Sequence, residues 1–239
     1  MAEAAASWKY IRQTVGKSTV ARWLAEADLK PHRVRRWLHS PDPEFRIKVR
    51  RICKLYLHPP RGSRVICVDE KTQVQILERL HAGRSVASCK PQRIEEHYRR
   101  HGVLAVLAGL DVRSGTVVQL VRRRRRRQEL LQLLKAIRRR WPRGRLIIVL
   151  DNLSIHTAPE VRSWLQEQNG RAQFAFLPLH ASWLNQIEIW FSILERQILA
   201  RSGDLAYAGR AARIRRFAAH WNRSARPFRW TFKGYPLRR

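Results

Sequence analysis

Acidic residues are scarce in this chain: 239 residues hold 18 Asp and Glu against 49 Lys and Arg, a formal charge of +31 at pH 7. A fold carrying that much unbalanced charge repels itself unless it meets a polyanion. Cysteine is scarce too, at Cys53, Cys67 and Cys89. An odd count with no C-x-x-C pair excludes a disulfide framework and a zinc ribbon, and fits a reducing compartment. No apolar run approaches the roughly 18 residues of a membrane span. Residues 1–12 lack the charged-then-apolar order of a signal peptide, so a cytoplasmic protein with no membrane partner is expected. Wholesale disorder is excluded by the 44% of residues that are hydrophobic. The length suits one full domain and a small appendage.

What is present points to phosphates. Lys and Arg gain affinity for nucleic acid by releasing its condensed counterions, whatever the base sequence. A structural protein of the ribosome or nucleoid would share the charge, so the charge alone says nothing about catalysis.

Residues 1–58 read as helical. Ser18-Thr19 can cap a segment carrying Val20, Trp23 and Leu24, and Pro31 opens a second carrying Val34, Trp37 and Leu38 opposite Arg33, Arg35 and Arg36. Two short helices across a tight break suit a helix-turn-helix on DNA, with those arginines as contacts; an ordinary basic hairpin would look the same. A third helix is expected after Asp42, with Phe45, Val49, Ile52 and Tyr56 on one stripe. Pro59-Pro60-Arg61-Gly62-Ser63 reads as a linker, which divides the chain into residues 1–58, 59–64 and 65–239.

Beyond the linker, strands alternate with helices. Val65–Val68 is a short apolar strand ending in Asp69, and residues 104–110 and 117–121 flank a hairpin turn at 111–115. A helix over 128–141 leads to Leu146-Ile147-Ile148-Val149-Leu150, a buried strand ending in Asp151. A helix over 159–168, a strand over 172–177, one long helix over 183–200 and a last helix over 208–221 complete the pattern. The fold class is α/β: a mixed sheet covered by helices, preceded by a small all-α region.

Sites in open α/β sheets form at the carboxyl ends of strands, so Asp69 and Asp151 meet if their strands are parallel neighbours. Carboxylates brought together repel, which raises a pKa or demands a cation. With phosphate as the expected substrate, Mg²⁺ suits them. Glu188 borders the apolar stripe of the 183–200 helix and is the third candidate. Each acid alone could instead hydrogen-bond a turn or pair with an arginine. Asp111 is a rival that the hairpin turn explains. Arg122, Arg123, Arg124, Arg125, Arg126 and Arg127 form a run read either as solvated or as touching DNA backbone. Gly16-Lys17-Ser18 mimics a phosphate loop, but Ile11 stands where its first glycine belongs. His97 and His101 lack a third zinc ligand.

Three stretches carry a resemblance: Val65-Ile66-Cys67-Val68-Asp69-Glu70-Lys71, Leu150-Asp151-Asn152-Leu153-Ser154-Ile155-His156-Thr157, and His180 to Phe191, HASWLNQIEIWF. They are similar to the acidic motifs of IS630-type transposases, relatives of the Tc1/mariner group. Glu188 follows Asp151 by 37 residues, a spacing within the family's range. Further similarity in Leu29–Arg33, Ser40–Phe45, Tyr98–Gly102, Trp221-Asn222 and Pro227–Trp230 extends it over nearly the whole chain.

The resemblance implies an RNase H-like domain whose Asp69, Asp151 and Glu188 are catalytic and hold two divalent ions, Mg²⁺ or Mn²⁺. Asn152, His156 and Asn185 are expected behind those ligands or against substrate, although His156 could cap a helix and Asn185 only start one. The expected activity is metal-dependent cleavage of double-stranded DNA at transposon ends and strand transfer into a TA target, by a possible homo-oligomer at the bacterial nucleoid. Family members usually carry a longer N-terminal region with paired helix-turn-helix units, so residues 1–58 read as truncated. The alternative function is a catalytically idle remnant that only binds DNA and represses an intact relative.

Overall fold

The structure is a computed structural model that describes residues 15–28, 30, 40–80, 89, 97–200 and 207–234. Two compact units divide at residues 39 and 40. In the first, α1 (Lys17–Glu26) starts one residue before the expected Ser18-Thr19 cap, with Gly16 as its N-cap and no side-chain cap bond. None of its residues is buried, and Arg22 pairs with Glu26 one turn on. The expected second helix, with Arg33, Arg35 and Arg36, lies outside the described residues.

The second unit begins at Ser40 rather than after residue 58, because α2 (Phe45–Leu57) packs into the same core as the sheet. Asp42 starts α2: its carboxylate accepts from the Glu44 backbone N–H at 3.0 Å and its carbonyl from the Phe45 N–H. Burial falls on Val49, Ile52, Cys53 and Tyr56, the stripe that the spacing predicts, and Pro59-Pro60 follows the helix end. Tyr56 Oη donates to the Leu184 carbonyl at 2.9 Å.

Five strands follow: β1 (Ser63–Arg79), β2 (Tyr98–Asp111), β3 (Val117–Arg122), β4 (Arg145–Leu150) and β5 (Ala172–Phe176), in the order β3-β2-β1-β4-β5. β1 pairs with β2, and β2 with β3, antiparallel; β1 pairs with β4, and β4 with β5, parallel. This is the mixed sheet that was expected. Helices α3 (Arg127–Arg140), α4 (Pro159–Glu167), α5 (Ile187–Leu194) and α6 (Tyr207–Arg223) complete the unit.

Alternation along the strands sorts the core into two layers. Val65, Cys67, Val106, Ala108, Ile147 and Val149 share one with α2, α5 and α6. Ile66, Val68, Leu107, Ile148 and Leu150 share the other with α3 and α4. Gly109 permits close approach of α3, since a Cβ there would stand 2.7 Å from Ile137 Cδ1.

Two expectations are corrected. Asp69 does not end its strand: β1 runs on to Arg79, paired with β2 alone, through an irregularity at Gln73, whose φ is 54°. What ends near Asp69 is the parallel ladder with β4, at Cys67 opposite Val149. The single helix over 183–200 is three pieces: a 3₁₀ turn at Ser182–Leu184, α5, and a π turn at Glu195–Leu199. Asn185 is extended between the first two, at φ −80° and ψ 110°, and its side chain reaches back to the sheet.

Candidate active site

The fork where β1 and β4 part holds the candidate acids. Because Cys67 faces Val149 across the parallel ladder, Asp69 and Asp151 each lie two residues past the last pair, at the same level. Asp69 continues the parity of Val65 and Cys67, toward the layer of α5, and Glu188 lies in the first turn of that helix.

Asp69 is 8% exposed. Its Oδ1 accepts the Glu70 backbone N–H at 2.8 Å, and its Oδ2 accepts Asn185 Nδ2 at 3.2 Å, the same amide that donates to the Val68 carbonyl at 2.9 Å. Burial pushes the Asp69 carboxyl up to about 7, against the backbone N–H, and the charges of Glu70, Glu188 and Asp151 add to the rise. A desolvated acid that also feels the charge of other acids is a functional-site signature.

Asp151 is half-buried and opposite in character. Burial would raise it, yet the His156 hydrogen bond, the Leu153 N–H and the positive charges of His156 and Arg125 hold it below the ordinary value. His156 Nδ1 lies 2.9 Å from both the Asp151 carbonyl and Oδ1, and Nε2 lies 3.1 Å from Glu70 Oε1. Burial works against the charged imidazole, but Asp151 and Glu70 raise it to about 10, so it is protonated at neutral pH.

Of the residues expected behind the acids, Asn185 and His156 touch Asp69 and Asp151 directly. Asn152 turns away: its amide donates to the Leu177 carbonyl at 2.6 Å, tying the ends of β4 and β5. Sequence reasoning missed Glu70, whose side chain is fully buried against His156. A polar residue alternating with Asp69 on a strand between two helical layers was the available signal. Gln186 was missed too; it is buried, with no hydrogen-bond partner for its amide among the described residues.

The donor set suits a hard divalent cation: three carboxylates, one of them destabilised by the charge of the others. Among the described residues, no three His, Cys, Asp or Glu side chains stand close enough to hold an ion between them as they lie. An ion would therefore have to draw Asp69, Asp151 and Glu188 together.

The arginine run begins at the end of β3 and enters α3. Arg122 donates to Gln132, Arg123 covers the Tyr207 ring at 4.3 Å, Arg126 caps α3 through Glu129, and Arg127 pairs with Glu160 at 2.7 Å. Arg125 Nη1 lies 3.9 Å from Glu70 Oε2, while Arg124 makes no hydrogen bond or ion pair among the described residues. Arg125, Arg126 and Arg127 line a cavity of about 460 Å³ with Ser154 and Ile155, from the segment that carries His156. No helix among the described residues is long and apolar enough to cross a membrane.

The model of the DDE superfamily endonuclease family matches residues 64–205. The chain is 26% identical over 180 residues to the insertion element IS630 uncharacterized 39 kDa protein of Shigella sonnei, covering 72% of this chain and 50% of that protein. It thus spans about half the length of this curated relative. Among solved structures, it is similar to the catalytic domain of Mos1 mariner transposase, at 17% identity and a TM-score of 0.48, covering 79% of this chain and 86% of that one. It is also similar to the Mos1 mariner paired end complex with Mn, at 20% identity and a TM-score of 0.42, covering 87% and 69%. The matched stretch holds the fork, its three acids and the sheet that positions them, and by that match the chain belongs to the DDE superfamily endonucleases.

Proposed function

We propose that this chain is a DNA transposase of the IS630 type that cleaves strands at transposon ends and transfers them into target DNA at TA, with Asp69, Asp151 and Glu188 as its catalytic, metal-holding acids. The observation that carries the reading is the buried Asp69: in a chain with 49 Lys and Arg none pairs with it among the described residues, and burial, with the charges of Glu70, Glu188 and Asp151, drives its carboxyl up to about 7. Two divalent ions, Mg²⁺ or Mn²⁺, would supply Lewis-acid activation of water or a 3′-hydroxyl and stabilise the leaving oxygen.

The chain's own residues do the positioning. Asn185 holds one Asp69 oxygen and Leu153 and His156 hold one Asp151 oxygen, so each carboxylate is aimed before substrate arrives. Arg124 to Arg127 would hold the phosphate backbone of double-stranded DNA beside the acids, with affinity that falls as salt rises. The N-terminal helical region would contact DNA, and the protein would act as a homo-oligomer at the bacterial nucleoid.

The test is strand cleavage of DNA carrying the flanking terminal repeats, with Mg²⁺ or Mn²⁺, comparing the native protein with Asp151→Asn, and DNA binding measured in parallel. Metal-dependent cutting by the native protein, and binding without cutting by the variant, is the expected result. Binding without cutting by both would make the chain a DNA-binding protein only.

A further inference from the structure

One face of β1 presents Asp69 and the other presents Glu70, and the second carries a task that the acids themselves do not explain. Glu70 is fully buried in a chain with few acids to spare, a position that is costly for a carboxylate unless it is paired. Its partner is His156, equally buried, whose Nε2 it accepts at 3.1 Å. The other edge of that imidazole meets Asp151 twice, at the carbonyl and at Oδ1, both at 2.9 Å. Leu153 N–H adds a second hold on the same Oδ1, at 3.1 Å. One oxygen of Asp151 is thereby committed, and Oδ2 takes no hydrogen bond among the described residues.

We propose that Glu70 is a positioning residue: acting through His156, it anchors the segment after β4 to β1 and turns the free oxygen of Asp151 toward the divalent ion. This rests on Asp151 being a metal ligand, as read above. Glu70 Oε2 has no hydrogen bond among the described residues, and Arg125 Nη1, from the arginine-lined cavity, lies 3.9 Å from it. This strut, the pair of Glu70 and His156, therefore stands beside the arginine-lined cavity as well as on the sheet.

The experiment measures Mn²⁺ affinity by the loss of the free-ion electron paramagnetic resonance signal. It uses full-length native protein, Glu70→Ala, Glu70→Gln, His156→Ala, the double variant and Asp151→Asn, with thermal unfolding in EDTA as the check on folding. Losing a partner behind a ligand weakens metal binding roughly 10–100-fold, and that is expected for Glu70→Ala. Glu70→Gln, which keeps an acceptor for Nε2–H, should recover part of the loss. Because both residues act on one carboxylate, the losses of Glu70→Ala and His156→Ala should fail to add in the double variant. Native affinity in Glu70→Ala, with affinity lost in Asp151→Asn, would make Glu70 an ordinary core ion pair. Additive losses would overturn the route through His156. Native affinity in Asp151→Asn would remove the ligand assignment itself. Should Glu70→Ala fail to fold, Glu70→Gln decides: several-fold weaker binding with unchanged unfolding supports the strut, and native affinity refutes it.

Discussion

Asp69 and Asp111 lie on neighbouring strands, are both buried, and are treated in opposite ways. Asp111 accepts Arg64 Nη1 at 2.7 Å, Ser114 Oγ at 2.7 Å and the Arg113 N–H at 3.2 Å, so its charge is met at the hairpin turn it starts. Asp69 receives only N–H groups of Asn185 and Glu70, and no Lys or Arg pairs with it among the described residues. A protein with 49 basic side chains has given its turn an arginine and withheld one from the fork. Asp111 is part of the scaffold; in the proposed function Asp69 would be left for a cation from outside.

Substitution should separate the two most sharply in catalysis. Asp69→Asn is expected to lower metal-dependent DNA cleavage by about three orders of magnitude or more with DNA affinity unchanged, and Asp111→Asn to leave the rate per folded molecule near native. Single-turnover cleavage and filter binding on both variants check this; equal losses would erase the distinction. In stability the order reverses. Asp111→Ala removes the acceptor of Arg64, Ser114 and the Arg113 N–H and should cost about 2 kcal/mol, read from the urea midpoint.

Asp69→Asn should instead stabilise the metal-free protein at pH 8. The native carboxyl is pushed up to about 7, so its folded form holds a proton that the unfolded chain releases near 4. Stability from this group is present at low pH and is lost as pH rises through about 7. The gain on Asp69→Asn should therefore be larger at pH 8 than at pH 4, in unfolding curves run with EDTA; a gain independent of pH would refute the charge as its cause. The smallest effect concerns Asp42, held below its ordinary value by the Lys48 hydrogen bond, against burial. Its contribution is present above the unfolded pKa and is lost as pH falls through the folded one. Asp42→Asn should thus narrow the stability difference between pH 6 and pH 3, and no change in that difference would make the pair inert.

Much of this was legible in the residues. Leu146–Leu150 could only be a strand buried on both sides, and Asp151 follows it as the parallel register requires. The stripe on α2 was legible, but not its destination, because periodicity says which face is buried and not against what. That is why the expected boundary after residue 58 fell on the wrong side of a helix belonging to the sheet's core. The run of β1 past Asp69 was hidden by Glu70-Lys71-Thr72-Gln73, polar residues that interrupt the alternation at the irregularity. The break at Asn185 was hidden because asparagine within an apolar stripe reads as helix until its amide is found on Val68 and Asp69. Of the arginines singled out, Arg33, Arg35 and Arg36 lie outside the described residues, and several of the run at 122–127 have partners within the protein that no sequence pattern announces.

The alternation of β1 makes its length a chemical parameter. Asp69 and Glu70 differ in side-chain size by one methylene and in surroundings by an entire layer, so their roles are assigned by counting from Ser63. Deleting one residue between Ser63 and Val68 would bring Glu70 to the level of Asp69 at the fork, carry Asp69 back to the level of Val68 on the other face, and set Lys71 opposite the histidine. Insertions of two residues would keep the sides and move both carboxylates along the strand by roughly 7 Å, out of level with Asp151. The number of residues in the strand thus matters as much as their identity.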